Sequence, residues 1–120
     1  EHDLFVLLEC FDEEDLGRSS RLLDNNADAE RAKSGQLLIG VNTRNLRTLE
    51  VDSDRLQRLA PVLPNAICVA ESGLREPSDA GKAAAWGYRM ALVGTALMRS
   101  DDPASLVAAM REAGNAKAKA

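Results

Sequence analysis

The stretch Leu37–Asn45 reads LLIGVNTRN, an aliphatic run that stops abruptly in an amide, a hydroxyl, a cation and a second amide. Parallel strands buried on both faces read as such near-continuous Leu/Ile/Val runs. Working outward, Ile67–Gly73 (ICVAESG) and Met90–Thr95 (MALVGT) repeat the form, and Leu4–Cys10 (LFVLLEC) supplies a fourth example. In α/β folds ligands sit beyond the carboxyl ends of the strands. Glu9, Asn42, Arg44, Glu71, Ser72, Gly73, Gly94 and Thr95 are therefore expected on one rim, the active face.

Helical signals fall between the runs. Asp12 stands before Glu13, Glu14 and Asp15, an N-cap followed by acids in the first turn, and predicts a helix over Asp12–Leu23. The polar segment Asp24–Gln36, with Asn25 and Asn26 as breakers and Gly35 near its end, reads as an inserted loop holding at most a helical turn. Asp52 is expected to cap a helix with Leu56, Leu59 and Val62 on one face, closed by Pro61 and Pro64. Pro77 pre-organises a helix over Asp79–Trp86, which Gly87 stops, and a short turn is expected near Ala96–Met98. Asp102-Pro103 opens a last amphipathic helix through Leu106, Val107 and Met110, ended by Gly114, with 115–120 a frayed tail.

The resulting βαβαβαβα order predicts an α/β fold with one parallel sheet in a single domain over residues 1–114. Four units make only half of an eightfold (βα)8 barrel. Such a sheet, with Leu7, Leu38, Val69 and Leu92 facing the barrel interior, leaves one face and two edges uncovered. The chain also begins at Glu1 without a methionine, and a cut from a longer protein is expected.

Composition narrows the function. The 120 residues are 45% hydrophobic but only 3% aromatic, so the core should be aliphatic. A formal net charge of −4 without a basic patch argues against nucleic acid as a partner. No apolar stretch is long enough to cross a membrane, and a soluble, cytoplasmic protein is expected. Cys10 and Cys68 lie on the first and third strands, too far apart for a disulfide, and should be free buried thiols. The lone histidine, His2, is at the start of the chain, and no Cys/His cluster offers a zinc site.

Alternation along each strand points Glu9, Asn42 and Glu71 into the barrel and Cys10 out to the helices. A carboxylate at the mouth of an apolar barrel can have its pKa raised and serve as a general acid or base. The competing reading is a solvated or ion-paired rim, which two glutamates at matching strand ends make less attractive. Ser72-Gly73 and Gly94-Thr95 form a second constellation, where glycine lets backbone N–H groups approach a phosphate and Ala96–Met98 stands as the short extra helix of such sites. Arg44 would add a bidentate contact; either glycine could equally be a plain turn residue. No other strand end offers a cation, since Lys33, Lys82, Lys117 and Lys119 fall elsewhere, so any step needing an ammonium must borrow it. Trp86 and Tyr88 read as packing residues, Met90 and Met98 as core filler, and Asp12–Asp15 as a solvated helix start.

With these residues in place, LLIGVNTRNLRTLEVD, VAESGL and ALVGTALMRS, in that order and spacing, resemble the carboxyl-terminal half of the indole-3-glycerol phosphate synthase family. LLECFDEED is similar to that family's fifth strand and the helix start after it. The resemblance implies a (βα)8 lyase of tryptophan biosynthesis. Its reaction closes a ring, decarboxylates and dehydrates 1-(2-carboxyphenylamino)-1-deoxyribulose 5-phosphate to indole-3-glycerol phosphate, with no cofactor and no metal. It further implies Glu9 in proton transfer, Asn42 orienting substrate, Glu71 and Ser72 at the substrate, and Arg44, Gly73, Gly94 and Thr95 at its phosphate.

Two departures stand out: the Asp24–Gln36 segment is longer than the family's turn, and Cys10-Phe11 replaces a more polar pair. Strands one to four, where the family keeps its catalytic lysines and another glutamate, are absent, so the chain alone is expected to be inactive. Its partners are then a phosphorylated small molecule and an amino-terminal half-barrel. The alternative is a non-catalytic phosphate-binding half-barrel that self-associates; another phosphate-binding barrel enzyme is disfavoured because the motifs are more specific than the fold.

Overall fold

A computed structural model describes residues 4–45, 47–52 and 54–118; His2 and Lys119 lie outside them. The strands are β1 (Val6–Cys10), β2 (Leu37–Asn42), β3 (Cys68–Glu71) and β4 (Met90–Leu92), in the spatial order β1-β2-β3-β4 and parallel throughout. The helices are α1 (Glu13–Leu22), α2 (Asn26–Ser34), α3 (Arg55–Leu59), α4 (Pro77–Trp86), α5 (Thr95–Arg99) and α6 (Pro103–Lys117), with a 3-10 turn at Ala60–Val62. Sequential parallel strands joined by helical crossovers are the carboxyl-terminal half of a (βα)8 barrel.

Register sets which side chains share a face. Glu9 pairs with Gly40, Gly40 with Val69, and Val69 with Met90; one step up, Asn42 pairs with Glu71 and Glu71 with Leu92. These positions look into the barrel side. Cys10, Ile39, Val41, Cys68 and Ala70 occupy the alternate positions and pack with Leu16, Leu56, Leu59 and Tyr88 into one buried core. Tyr88 also donates its hydroxyl to the Leu56 carbonyl at 2.9 Å, so its polar tip is satisfied where its ring is buried. Cys10 and Cys68 are free and buried, and burial raises both thiols above their ordinary value.

Several helix boundaries follow the sequence signals. Asp12 caps α1 by accepting the Asp15 N–H at 2.9 Å, while the Asp15 carboxylate accepts the Phe11 N–H at 3.0 Å. Gly87, at φ +112°, ends α4 in the left-handed conformation that a side chain disfavours.

Other expectations change. The segment read as an inserted loop, residues 24–36, contains the helix α2, capped by Asn25 accepting the Ala27 N–H and ended by Gly35 at φ +83°. The supposed breaker Asn25 is its cap. Asp52 does not cap α3, whose N-cap is Asp54; it accepts the Asp54 N–H instead, and Val62 is 45% exposed rather than packed. Gly114 does not end α6, which continues to Lys117, so the expected tail is helical over its first half. Gly81 and Gly114 face the opposing helix of the α4–α6 pair, where a Cβ would lie 3.4 Å from the Ala113 carbonyl and 3.9 Å from the Ala80 carbonyl, respectively. Met90, on the barrel side of the edge strand β4, and Met98, on α5, are not core filler: they are 49% and 88% exposed.

Candidate active site

The rim expected from the strand ends forms one cavity of about 1020 Å³, lined by Arg44, Glu71, Ser72, Gly73, Gly94 and Thr95. Asn42 and Glu9 stand beside it, Asn42 paired with Glu71 in the sheet and Glu9 close enough to influence the Glu71 carboxyl. All eight expected residues therefore gather at the carboxyl ends of the four strands.

The turn after β3 is the most constrained part of the rim. Ser72 and Gly73 are both left-handed, at φ +66° and +83°, and reverse the chain directly after Glu71. Thr43, fully buried, holds this turn from the neighbouring strand: its N–H and Oγ1 both donate to the Glu71 carbonyl, at 3.2 and 3.3 Å. A Cβ on Gly73 would make only ordinary contact with that Oγ1, at 3.4 Å, so it is the backbone conformation that favours glycine there. Gly94 is different. Its φ is −122°, and a Cβ built on it meets nothing within 4 Å. Neither backbone nor packing demands a glycine there, and its bareness leaves room in the cavity.

At the end of β2, Asn42 accepts the Arg44 N–H on Oδ1 at 2.9 Å, which turns its amide nitrogen into the group left to donate. Its carbonyl accepts Nη1 of Arg55 at 3.1 Å. Arg55 is buried, lies 3.9 Å over the Phe11 ring and pairs with Asp52 at 3.8 Å, so it bolts the segment after Glu9 to the end of β2. Phe11 thus serves as the platform for a buried guanidinium. Arg44 donates Nη1 to the Leu49 carbonyl at 2.9 Å, which holds its side chain against its own loop.

Electrostatically the site is centred on Glu71. The residue is 5% exposed, and among the described residues its Oε2 has no hydrogen-bond partner. Burial, with the Glu9 carboxylate as a second cause, raises its pKa from 4.5 to about 7. A carboxyl poised there holds a proton at neutral pH and can also give it up.

The cavity has two cations that the sequence reading overlooked. Arg75, in the segment after β3, and Arg99, at the end of α5, both line it. The contrary expectation, that Arg44 was the sole cation at the strand ends, counted lysines and ignored arginines one turn past a strand. The Thr43 latch and the buried Arg55 were also missed, because a threonine in a polar cluster and an arginine in a helix carry no local mark of burial. The expected turn at Ala96–Met98 is the helix α5. Among the described residues no three His, Cys, Asp or Glu side chains are grouped as a metal site, and no helix is long and apolar enough to cross a membrane.

Four parallel βα units with their acidic and glycine-bearing ends on one rim define half of a (βα)8 barrel with its strand-end face open. A solved structure with this fold, the Amycolatopsis orientalis BexX/CysO complex, matches 88% of this chain and 49% of that chain with a TM-score of 0.53 and 20% identity, a likeness of fold alone. The family profile described as indole-3-glycerol phosphate synthase matches residues 2–110. Curated relatives of that name are 47% identical over 104 residues in Mycobacterium sp. (strain KMS), 49% over 89 in Mycobacterium leprae (strain Br4923) and 44% over 105 in Saccharopolyspora erythraea. These matches cover 84%, 72% and 85% of this chain but only 38%, 33% and 39% of the relatives. The chain belongs to the indole-3-glycerol phosphate synthase family and corresponds to the carboxyl-terminal part of its members.

Proposed function

We propose that this chain forms the carboxyl-terminal half of the active site of an indole-3-glycerol phosphate synthase, a carboxy-lyase, completed by an amino-terminal half-barrel. The observation that carries the reading is the juxtaposition with Glu9 of a buried Glu71 carboxyl, whose Oε2 has no hydrogen-bond partner among the described residues, at the edge of the glycine-bearing cavity. Ring closure delivers a proton to the carbonyl oxygen attacked by the aromatic carbon. Loss of carbon dioxide follows and restores the aromatic ring; the new hydroxyl then leaves as water once a second proton reaches it, while a base takes the proton from the adjacent ring carbon to form the double bond. Two adjacent carboxyls, one of them protonated near neutral pH, suit this alternation of donor and acceptor.

The phosphate is assigned to the other end of the cavity, with Arg44 and the backbone at Gly73, Gly94 and Thr95, and Ser72 contacts the body of the substrate. Room at Gly94 that packing does not require supports this placement. Asn42, with Oδ1 engaged, orients substrate through its amide nitrogen. No cofactor takes part in this scheme. Residues 1–120 supply only the carboxyl-terminal share of the site, so in this scheme turnover requires an amino-terminal half-barrel to be present with them. A cytoplasmic location follows from a phosphorylated, membrane-impermeant substrate.

The test is Glu71→Gln and Glu9→Gln in a barrel completed with the amino-terminal part of the Mycobacterium sp. (strain KMS) relative. Each variant should lower kcat about 10²–10⁴-fold with a smaller change in KM. Turnover equal to that of the unsubstituted barrel in both variants would remove the carboxyls from the chemistry.

A further inference from the structure

Gly40 stands in the middle of β2, where nothing about a strand asks for glycine; a bare position in a strand marks a close approach by another group. The approaching group is the Glu71 side chain. A Cβ on Gly40 would collide with Glu71 Oε2, come within 2.9 Å of its Cδ, and sit 3.0 Å from Leu7 Cδ1. The register explains how this happens. Glu9, Gly40, Val69 and Met90 form one row across the barrel side of the sheet, and Asn42, Glu71 and Leu92 form the next row toward the rim. Glu71 belongs to the upper row, yet its carboxyl leans back into the lower one, into the space where a Gly40 side chain would stand, next to Glu9.

We propose that Gly40 is a positioning residue: the space left by its missing side chain seats the Glu71 carboxyl on the apolar floor of the sheet, beside Glu9. Any larger residue would lift that carboxyl toward the rim and the solvent. The raised proton affinity of Glu71 follows from the seat, since burial is its first cause and the Glu9 carboxylate the next. The consequence for turnover rests on the reaction proposed above; the seat itself rests on the sheet geometry.

The seat is tested in the full chain by a double-mutant cycle of Gly40→Ala and Glu71→Ala, read by urea unfolding, together with NMR titration of carboxyl-labelled glutamate. Gly40→Ala should raise the unfolding equilibrium constant by about tenfold or more when Glu71 is present and by less than about threefold in the Glu71→Ala background, because the clash with the carboxyl is then gone and only the contact with Leu7 Cδ1 remains. In Gly40→Ala the Glu71 titration should fall from about 7 toward the ordinary 4.5. If Gly40→Ala alone does not fold, recovery of folding in the double variant supports the seat and failure to recover overturns it. An equal loss in both backgrounds, or a Glu71 titration that stays near 7 in Gly40→Ala, likewise overturns it. In the completed barrel, Gly40→Ala should lower kcat and shift the pH profile of the carboxyl pair while KM changes little. A completed barrel that is inactive with Gly40 in place would count against the synthase reading, whereas the cycle and the titration would still decide the seat.

Discussion

On the helix side of the sheet Ile39, Val41, Cys68 and Ala70 are buried almost completely, whereas on the barrel side Phe5 is 66% exposed and Met90 and Leu92 are each 49% exposed. The buried set lies on the central strands β2 and β3 and the exposed set on or beside the edge strands β1 and β4, where Val6 on the helix side is 56% exposed as well. The faces also differ in what the chain brings to each. Helices α1, α3 and α4 supply Leu16, Leu56, Leu59 and Ala83 to the core on the outer side, whereas the barrel side carries side chains of the sheet itself. There the central positions Leu38 and Val69 are shielded, at 6% and 1% exposure, and the two edges remain open. The barrel side also holds the one buried carboxyl oxygen without a partner among the described residues. One face completes a fold; the other is half of a site.

The largest expected effect separates the faces by stability. Ile39→Ala in this chain should cost about 2–5 kcal/mol, because a fully buried side chain leaves a cavity. Leu92→Ala should stay within about 0.5 kcal/mol in urea unfolding of the chain alone, as for an exposed position. When an amino-terminal half-barrel is present, the cost of Leu92→Ala should grow. A Leu92 cost as large as that of Ile39 in the isolated chain would erase the distinction.

A second, smaller effect concerns pH. Glu71 binds its proton more tightly folded than unfolded, so between about 4.5 and about 7 the folded chain holds more protons. Its contribution to stability is therefore full below pH 4.5 and declines as pH rises through about 7. Glu71→Gln should remove this decline, so that the variant gains on the natural chain by on the order of 1–3 kcal/mol between pH 4.5 and 8. Parallel stability profiles for the two proteins would place Glu71 in solvent.

Much of this was legible in the residues. The four strands were, because doubly flanked parallel strands are written in aliphatic runs whatever covers them. The rim was as well, since a strand's end is marked where the run stops. The helix α2 was not: only Ala32 of its residues is buried, so it has almost no apolar stripe for a periodicity to reveal. Gly114 was misread because a glycine inside a helix looks the same in sequence as one that ends it. Met90 and Met98 were placed inside because apolar character predicts burial only when something is there to bury against. Arg55, Thr43 and the seat at Gly40 depend on contacts between distant segments, for which local sequence has no sign.

The smallest effect tests the cavity end of the open face. Gly94→Ala should leave the stability of the chain unchanged within about 0.5 kcal/mol, since the new methyl group meets nothing. In the completed barrel it should raise KM about tenfold by intruding on the phosphate, a change worth about 1.4 kcal/mol. An unchanged KM would move the phosphate away from Gly94.

The most direct measurement is the fluorescence of indole-3-glycerol phosphate formed from its carboxyphenylamino-deoxyribulose phosphate precursor, first with this chain alone and then with a separately made amino-terminal half of a family member. Turnover only on mixing is the predicted result, as expected of a face that is half of an active site. No turnover on mixing, with the chain instead forming a stable phosphate-binding dimer on sizing, would contradict it and make the open face a surface for self-association.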